Sequence, residues 1–469
     1  MTVPVEIFRG ERTQVLGMAR SGLAAARALA AGGAAVRCWD DSETGRNAAQ
    51  AAGFTLADPT APGALDGAAA LVMAPGVPLT HPKPHPAVAA ARAAGAPILG
   101  DVELLVRARP AARFVAVTGT NGKSTTTALI GWMLKSAGRR VEVGGNLGVP
   151  ALALEPLEED GIYVLETSSY QLDLIDEAAF DVGVFLNITP DHLDRHGSIE
   201  GYVAAKARIF KNAKPGAAAV IAVDDAHTRR IADALAARAD RRLVRVSAET
   251  PCPGGVYAAS GADGAPVLID DLDGAATEAA ALADCPALRG RHNWQNAAAA
   301  YAVCRLMGLS TRDAAEGLAR FPGLAHRQER VAEIDGVVFV NDSKATNAEA
   351  AAKALSAYGS IYWIAGGRGK AGGYAALEPH LGPVRAAFLI GEAADEMGRA
   401  LAASVPVVQC GDLETAVERA STLARKEGGA GATVLLSPAC ASFDQFKDFE
   451  ARGDAFRALV AQRAAEGAA

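Results

Sequence analysis

Short apolar, β-branched runs alternate with alanine-rich stretches of helical period along most of this chain. Gln14-Val15-Leu16-Gly17 leads into a helical pattern over 22–29, and 35–41 returns to a strand pattern. That is a β-α-β unit, and it predicts a parallel sheet. Residues 71–74, closed by Pro75-Gly76, read as another strand, and the proline-rich 80–86 as a loop. A short helix and linker are expected over 101–113. A second alternating block has strands at 115–118, 163–165, 182–186 and 219–223, with helices between them. Its Gly-, Pro- and Ala-rich stretch 249–265 predicts an irregular antiparallel addition. A helix is expected over 293–307, and Pro322-Gly323 closes the block. A third block has strands at 337–340, 360–365, 386–390 and 433–436. No internal repeat is visible.

Length agrees with this division, since 469 residues suggest about three domains at roughly 150 residues each. Half of the residues are apolar and 21% are charged, as in a globular protein. The net charge of -7 argues against a general nucleic-acid binder, so an anionic substrate would need local positive sites. The first twenty residues include Glu6, Arg9, Glu11, Arg12 and Arg20 and lack an apolar core, so no signal peptide is expected. No apolar run approaches the roughly 18 residues of a membrane span. Cys38, Cys252, Cys285, Cys304, Cys410 and Cys440 are scattered without a CxxC pair. They read as reduced thiols of a cytoplasmic protein, not as a zinc site.

The densest chemical signal is Val117-Thr118-Gly119-Thr120-Asn121-Gly122-Lys123-Ser124-Thr125. A strand runs into a glycine turn, then Lys-Ser, then a helix. Glycines free backbone N–H groups to converge on phosphate oxygens, and the helix start adds its positive end. Lys123 can reach the outer phosphates and Ser124 can hold magnesium. The loop is shorter than G-x-x-x-x-G-K-[ST], with Val117 where the first glycine would stand. Gly17-Met18-Ala19-Arg20-Ser21-Gly22 resembles a dinucleotide turn, with Asp40 and Asp41 where a ribose-binding acid belongs. Ala19 replaces its second glycine, which leaves NAD, another nucleotide or a plain tight turn open. The fold class expected is α/β in three domains, each an open, mostly parallel sheet with flanking helices. These are a Rossmann-like N-terminal domain (1–108), a P-loop-type central ATPase domain (109–323) and a Rossmann-like C-terminal domain (324–469).

Other polar residues cluster just past strand ends, where open α/β sheets bind ligands. Glu166 ends a strand as a magnesium ligand or as a surface carboxylate. Residues 187–196, Asn-Ile-Thr-Pro-Asp-His-Leu-Asp-Arg-His, bring His192 or Asp191 toward such a metal. His192 and His196 have zinc spacing, but Gly197 and Pro190 disfavour the regular helix that pair needs. Lys206, on a mainly apolar helix, reads by default as a snorkelling lysine. Asn293 and Asn296 share a helix face, to meet a base edge or, for Asn293, to cap the helix. Asn341-Asp342-Ser343-Lys344-Ala345-Thr346-Asn347, residues 366–370 and residues 437–442 repeat the strand-end pattern.

Taken together, these runs resemble the Mur ligase family over essentially the whole chain. The motifs are 119–125, 166–172 (Glu-Thr-Ser-Ser-Tyr-Gln-Leu), 187–195, Asn293 with Asn296, His326-Arg327, 341–347 and 436–446 (Leu-Ser-Pro-Ala-Cys-Ala-Ser-Phe-Asp-Gln-Phe). The short phosphate loop is the form that family uses, and 168–172, 341–347 and 436–446 point to its D-glutamate-adding branch. The resemblance implies an ATP-dependent ligase that adds D-glutamate to UDP-N-acetylmuramoyl-L-alanine through an acyl phosphate, for peptidoglycan precursors. It implies that Gly119, Thr120, Asn121, Gly122, Lys123, Ser124, Thr125, Asn293, Asn296, Arg327 and Asp342 bind ATP. Gly17, Arg20, Ser21, Gly22, Asp40, Asp41, Gly76, Asn146, Ser168, Gln171 and His192 would bind the UDP substrate. Thr346, Lys370, Ser442 and Phe449 would bind D-glutamate. Ser124, Glu166, His192 and a carbamylated Lys206 would hold two magnesium ions, and Lys123, His192, Lys206 and Lys344 would be catalytic. A cytoplasmic monomer without nucleic-acid or membrane partners is implied, with the third domain closing over the second. Ala74 and Phe443 stand where relatives often have serine and leucine. The alternatives are another Mur-type or folylpolyglutamate-type ligase, an NAD-dependent dehydrogenase and a non-catalytic nucleotide-binding module. The Asp-Asn-Pro-Arg signature of the diaminopimelate or lysine adders is absent.

Overall fold

The computed structural model describes residues 1–369, 373–429 and 431–467. Three sheets follow one another along the chain. The first contains β1 (Arg12–Leu16), β2 (Ala35–Trp39), β3 (Thr55–Leu56), β4 (Ala70–Met73) and β5 (Ile98–Leu99), in the order β3-β2-β1-β4-β5. All its pairings are parallel. The second contains β6 (Arg113–Thr118), β7 (Arg140–Gly145), β8 (Gly161–Glu166), β9 (Val182–Phe185), β10 (Ala218–Ala222), β11 (Arg242–Ser247), β12 (Val256–Ser260), β13 (Pro266–Asp270) and β14 (Thr277–Ala281). Its order is β14-β13-β12-β11-β10-β9-β6-β8-β7. The third contains β15 (Glu329–Ile334), β16 (Val337–Asn341), β17 (Ile361–Gly366), β18 (Val384–Ile390), β19 (Val407–Gly411) and β20 (Thr433–Leu436), in the order β15-β16-β20-β17-β18-β19.

The central strands are apolar along their length because helices cover both faces of a parallel sheet. β6 is buried from Phe114 to Thr118, and β17 throughout. The expected antiparallel addition exists, but it runs on to Ala281 as β12–β14. β7 and β11 escape the apolar-run criterion because charged residues interrupt their valines, Arg140 and Glu142 in β7 and Arg242 and Arg245 in β11. β15 pairs antiparallel with β16 and edges the third sheet.

The chain forms two compact units. The first takes residues 1–285 and 291–321 and contains both leading sheets. One apolar core runs through it, from Val5, Leu29 and Val102 to Leu152, Tyr163 and Phe185. The second takes 286–290 and 322–469, with apolar layers on both faces of its sheet around Trp363 and Phe388. Register places the site in each unit. In the first, Val117 pairs with Glu166 and Thr118 with Phe185, so the loops after β6, β8 and β9 emerge side by side. In the second, Leu436 lies between Asn341 and Ile364, aligning the loops after β16, β20 and β17.

Of the cysteines, only Cys410 is not fully buried, and all six are free thiols. No helix among the described residues is long and apolar enough to cross a membrane.

Candidate nucleotide and substrate site

The loop after β6 is shaped by two glycines at positive φ, Gly119 (149°) and Gly122 (83°). A Cβ at Gly122 would also stand 2.3 Å from Asn296 Oδ1, so only glycine fits beneath that amide. Asn187, just past β9, ties the loop down: its carbonyl accepts from Thr120 N (2.9 Å) and its Oδ1 from Asn121 N (2.8 Å). The helix Lys123–Ser136 starts immediately after the turn. Lys123 Nζ folds back to donate to the carbonyls of Gly119 (2.9 Å) and Thr120 (2.8 Å).

Lys206 Nζ donates to the same Gly119 carbonyl, at 2.9 Å. This overturns the snorkelling expectation. Lys206 is 2% exposed, with Tyr202 and Ala205 on the inward face of the helix Ile199–Ala207 and its ammonium 4.7 Å from the Tyr202 ring. Burial, then the nearby Lys123 charge, pushes its pKa well below the ordinary lysine value, against the pull of Asp191 and Glu166.

Glu166 ends β8 and is buried. Its Oε1 accepts from Asn146 Nδ2 at 2.7 Å, while its Oε2 is buried with no hydrogen-bond partner. Ser124 is buried in the first turn of the helix that follows Gly122. His192 is half-exposed in a left-handed conformation (φ 51°), its Nε2 3.5 Å from Asp191 Oδ2. The zinc pair does not form a regular helix face, because Leu193–His196 is one turn ended by Gly197 at φ 78°. Among the described residues, no three His, Cys, Asp or Glu side chains converge as a metal cluster.

Asn293 and Asn296 lie on the helix Arg291–Leu306, and Asn296 Nδ2 donates to Asn293 Oδ1 at 3.1 Å. The helix begins two residues before Asn293, so Asn293 is in its first turn and is not its cap. Ser168 caps Ser169–Asp173 in a capping box with Gln171, whose Nε2 reaches buried Asp101 at 3.3 Å.

At the first sheet, Gly17 and Gly22 are both sterically required. A Cβ on Gly17 would meet Ala74 Cβ at 2.8 Å, and one on Gly22 would meet the Gly17 carbonyl at 1.7 Å. Arg20 donates to the Gly148 carbonyl, and Ser21 follows it in the helix Arg20–Ala31. Asp40 accepts from Met18 N (2.6 Å) and from Ser42 N and Oγ. Burial would raise its pKa, but these donors hold it below the ordinary value. Asp41 pairs with His85 at 3.0 Å, and the carbonyl of Gly76 accepts from Arg195.

In the second unit, Asp342 is buried past β16, accepting from Ser437 Oγ (2.8 Å) and Gln328 N (3.1 Å). Desolvation pushes its pKa up to about 7, against Ser437, Gln328 and the Arg327 charge. Lys344 Nζ lies 5.1 Å over the Phe449 ring, and Thr346 N donates to the Lys344 carbonyl. Ser442 is buried, Phe443 is 63% exposed, and Lys370 lies outside the described residues. Sequence reading passed over Arg452. Its guanidinium is fully buried and bonds Ser343 Oγ and the carbonyls of Ser343, Cys440 and Ala441, joining the loops after β16 and β20. Only its place in a helix next to the 436–446 motif was available as a signal.

The phosphate loop, its two lysines, Glu166 and the amide-bearing helix define a class: a nucleotide-binding α/β enzyme. Family models for the Mur ligase middle domain and for the Mur ligase glutamate ligase domain match residues 117–304 and 326–440. UDP-N-acetylmuramoylalanine--D-glutamate ligase of Phenylobacterium zucineum is 52% identical, covering 100% of this chain and 99% of its own. The enzyme of that name from Rhodospirillum rubrum is 50% identical, covering 98% and 97%. The solved structure of UDP-N-acetylmuramate-alanine ligase MurC from Thermotoga maritima shares the fold, with a TM-score of 0.55 at 16% identity over 97% of this chain and 100% of that one. This chain belongs to the Mur ligase family.

Proposed function

We propose that this chain is the ATP-dependent ligase that joins D-glutamate to UDP-N-acetylmuramoyl-L-alanine, giving ADP and phosphate. One observation carries the reading: a chain that matches relatives of that activity end to end also closes its phosphate loop with Lys123 and Lys206 beside Glu166.

A carboxylate is a poor electrophile and must be activated. The terminal alanine carboxylate takes the γ-phosphoryl group, one of its oxygens bonding phosphorus as the bond to ADP breaks. The D-glutamate nitrogen then attacks the acyl carbon, loses a proton, and expels phosphate as the amide forms. In this reading Lys123 leaves the Gly119 and Thr120 carbonyls to meet the phosphates and neutralises charge as it moves. Asn296 and Asn293 meet adenine. Arg327, Asp342 and Lys344 act on the nucleotide, and Thr346, Lys370, Ser442 and Phe449 hold D-glutamate. Gly17, Arg20, Ser21, Gly22, Asp40, Asp41 and Gly76 hold the UDP, with Asn146, Ser168, Gln171 and His192 toward the alanyl end.

The residues fit magnesium. Glu166 Oε2 is a buried carboxylate oxygen without a partner, and a hard oxygen donor suits that ion. Ser124 and His192 would complete its protein ligands, and bound magnesium would neutralise phosphate charge. The depressed pKa of Lys206 supports carbamylation, because only the neutral amine adds carbon dioxide, and the anionic product suits a second ion. The reading extends to a monomer acting in the cytoplasm, as the family resemblance implies.

Phosphate release from ATP, with UDP-N-acetylmuramoyl-L-alanine and a panel of amino acids, tests the proposal. Release dependent on D-glutamate alone is expected. Release with another amino acid and none with D-glutamate would overturn it.

A further inference from the structure

Arg195 follows His192 by three residues on the single turn Leu193–His196, in the loop region after β9. Its guanidinium does not stay with its own loop. It donates to three successive carbonyls in the turn after β4: Val77 (2.5 Å), Pro75 (3.1 Å) and Gly76 (3.4 Å). The guanidinium carbon lies 5.0 Å from the centre of the Tyr170 ring, in the segment after β8. A second contact lies alongside, where a Cβ on Gly197 would stand 3.0 Å from His81 Nε2, in the loop that continues from Val77. The turn after β4 belongs to the first sheet and the other two segments to the second.

Resting on the function proposed above, we infer that Arg195 is a positioning residue that fixes the span of the substrate site between its diphosphate end at Gly76 and its carboxylate end at His192. Two physical effects combine. Carbonyls near a diphosphate repel it, and Arg195 draws three of them onto one cation. The same cation makes the turn at Gly76 and the loop at His192 one body, so both ends of a long substrate meet a preset distance and no ordering is needed on binding. Arginine is required because its planar fork carries several N–H donors in fixed directions, whereas an ammonium is a single point donor. His192 acts on the substrate itself, while Arg195 acts through the loops it joins.

The test uses the full chain and the variants Arg195→Lys and Arg195→Gln. The KM for UDP-N-acetylmuramoyl-L-alanine is expected to rise at least about tenfold, with the KM values for ATP and D-glutamate within about twofold and kcat little changed. In ligand-free protein, amide hydrogen exchange over residues 74–79 is expected to accelerate by a similar factor, with the helix Lys123–Ser136 unaffected. An unchanged KM for the UDP substrate, or an equal rise for all three substrates, would overturn the inference. If the parent protein shows no D-glutamate-dependent phosphate release, the function reading fails. Unchanged protection of residues 74–79 in the variants then overturns the clasp on its own.

Discussion

Lys123 and Lys206 share one acceptor, the Gly119 carbonyl, and this sets what each can do. Lys123 has a flexible stem at a helix start and can swing outward, whereas Lys206 is enclosed beside Tyr202. We therefore expect Lys123→Ala to lower phosphate release at least about a hundredfold, a typical loss for removing a group that stabilises transition-state charge. The melting temperature should stay within a few degrees, and near-normal turnover would remove the phosphate loop from the mechanism. Asp342 gives a second expectation. Its folded pKa of about 7 lies above the ordinary aspartate value because burial disfavours the charged form. The folded state therefore holds the proton more tightly than the unfolded chain. The associated stability is full at low pH, declines as pH rises toward 7, and is gone above it. Asp342→Asn should flatten this fall, read as a smaller difference between urea midpoints at pH 5 and pH 8 than in the parent. The phosphate loop was readable because glycine spacing and Lys-Ser carry its chemistry locally. The burial of Lys206 was not, because it depends on which side of a nearly all-apolar helix meets a loop some 87 residues away.

Elements carry the site by presenting strand ends in register, and that much follows from alternating apolar runs. Less legible were the strands whose polar residues alternate, such as β7 and β11, and the braces between loops. Arg452 is the clearest brace. It lies on the helix Phe449–Gly467, and its donors go to Ser343 and to the carbonyls of Cys440 and Ala441, so no carboxylate partner marks it in the sequence. Burial lowers its pKa to about 10, so it stays charged at neutral pH. Arg452→Met should leave those carbonyls without donors and destabilise the second unit by about 2–4 kcal/mol, measured by urea unfolding. The KM for D-glutamate should rise as the loops holding Thr346 and Ser442 loosen. Stability within about 0.5 kcal/mol of the parent would show that the loops hold without it.

At the scale of the whole molecule, the residues assigned to the nucleotide are divided: 119–125, Asn293 and Asn296 fall in one compact unit, Arg327 and Asp342 in the other. Each unit has its own apolar core, so calorimetry should resolve two unfolding transitions. UDP-N-acetylmuramoyl-L-alanine at about 100 times its Kd should raise only the transition of residues 1–285 and 291–321, by about 2.7 kcal/mol. A single transition that moves as one would contradict independent units. The path of the chain bears on ancestry as well. It enters the second unit at 286, goes back at 291, and leaves the first unit for good only after 321. A crossover between related genes at the first of these points would separate the helix Arg291–Leu306 from the phosphate-loop helix it packs against, where Cys304 Sγ meets Met133 Sδ at 3.9 Å. Recombination that exchanges the second unit therefore has one tolerant seam, near 321–322, and the five residues 286–290 must suit whichever C-terminal segment arrives.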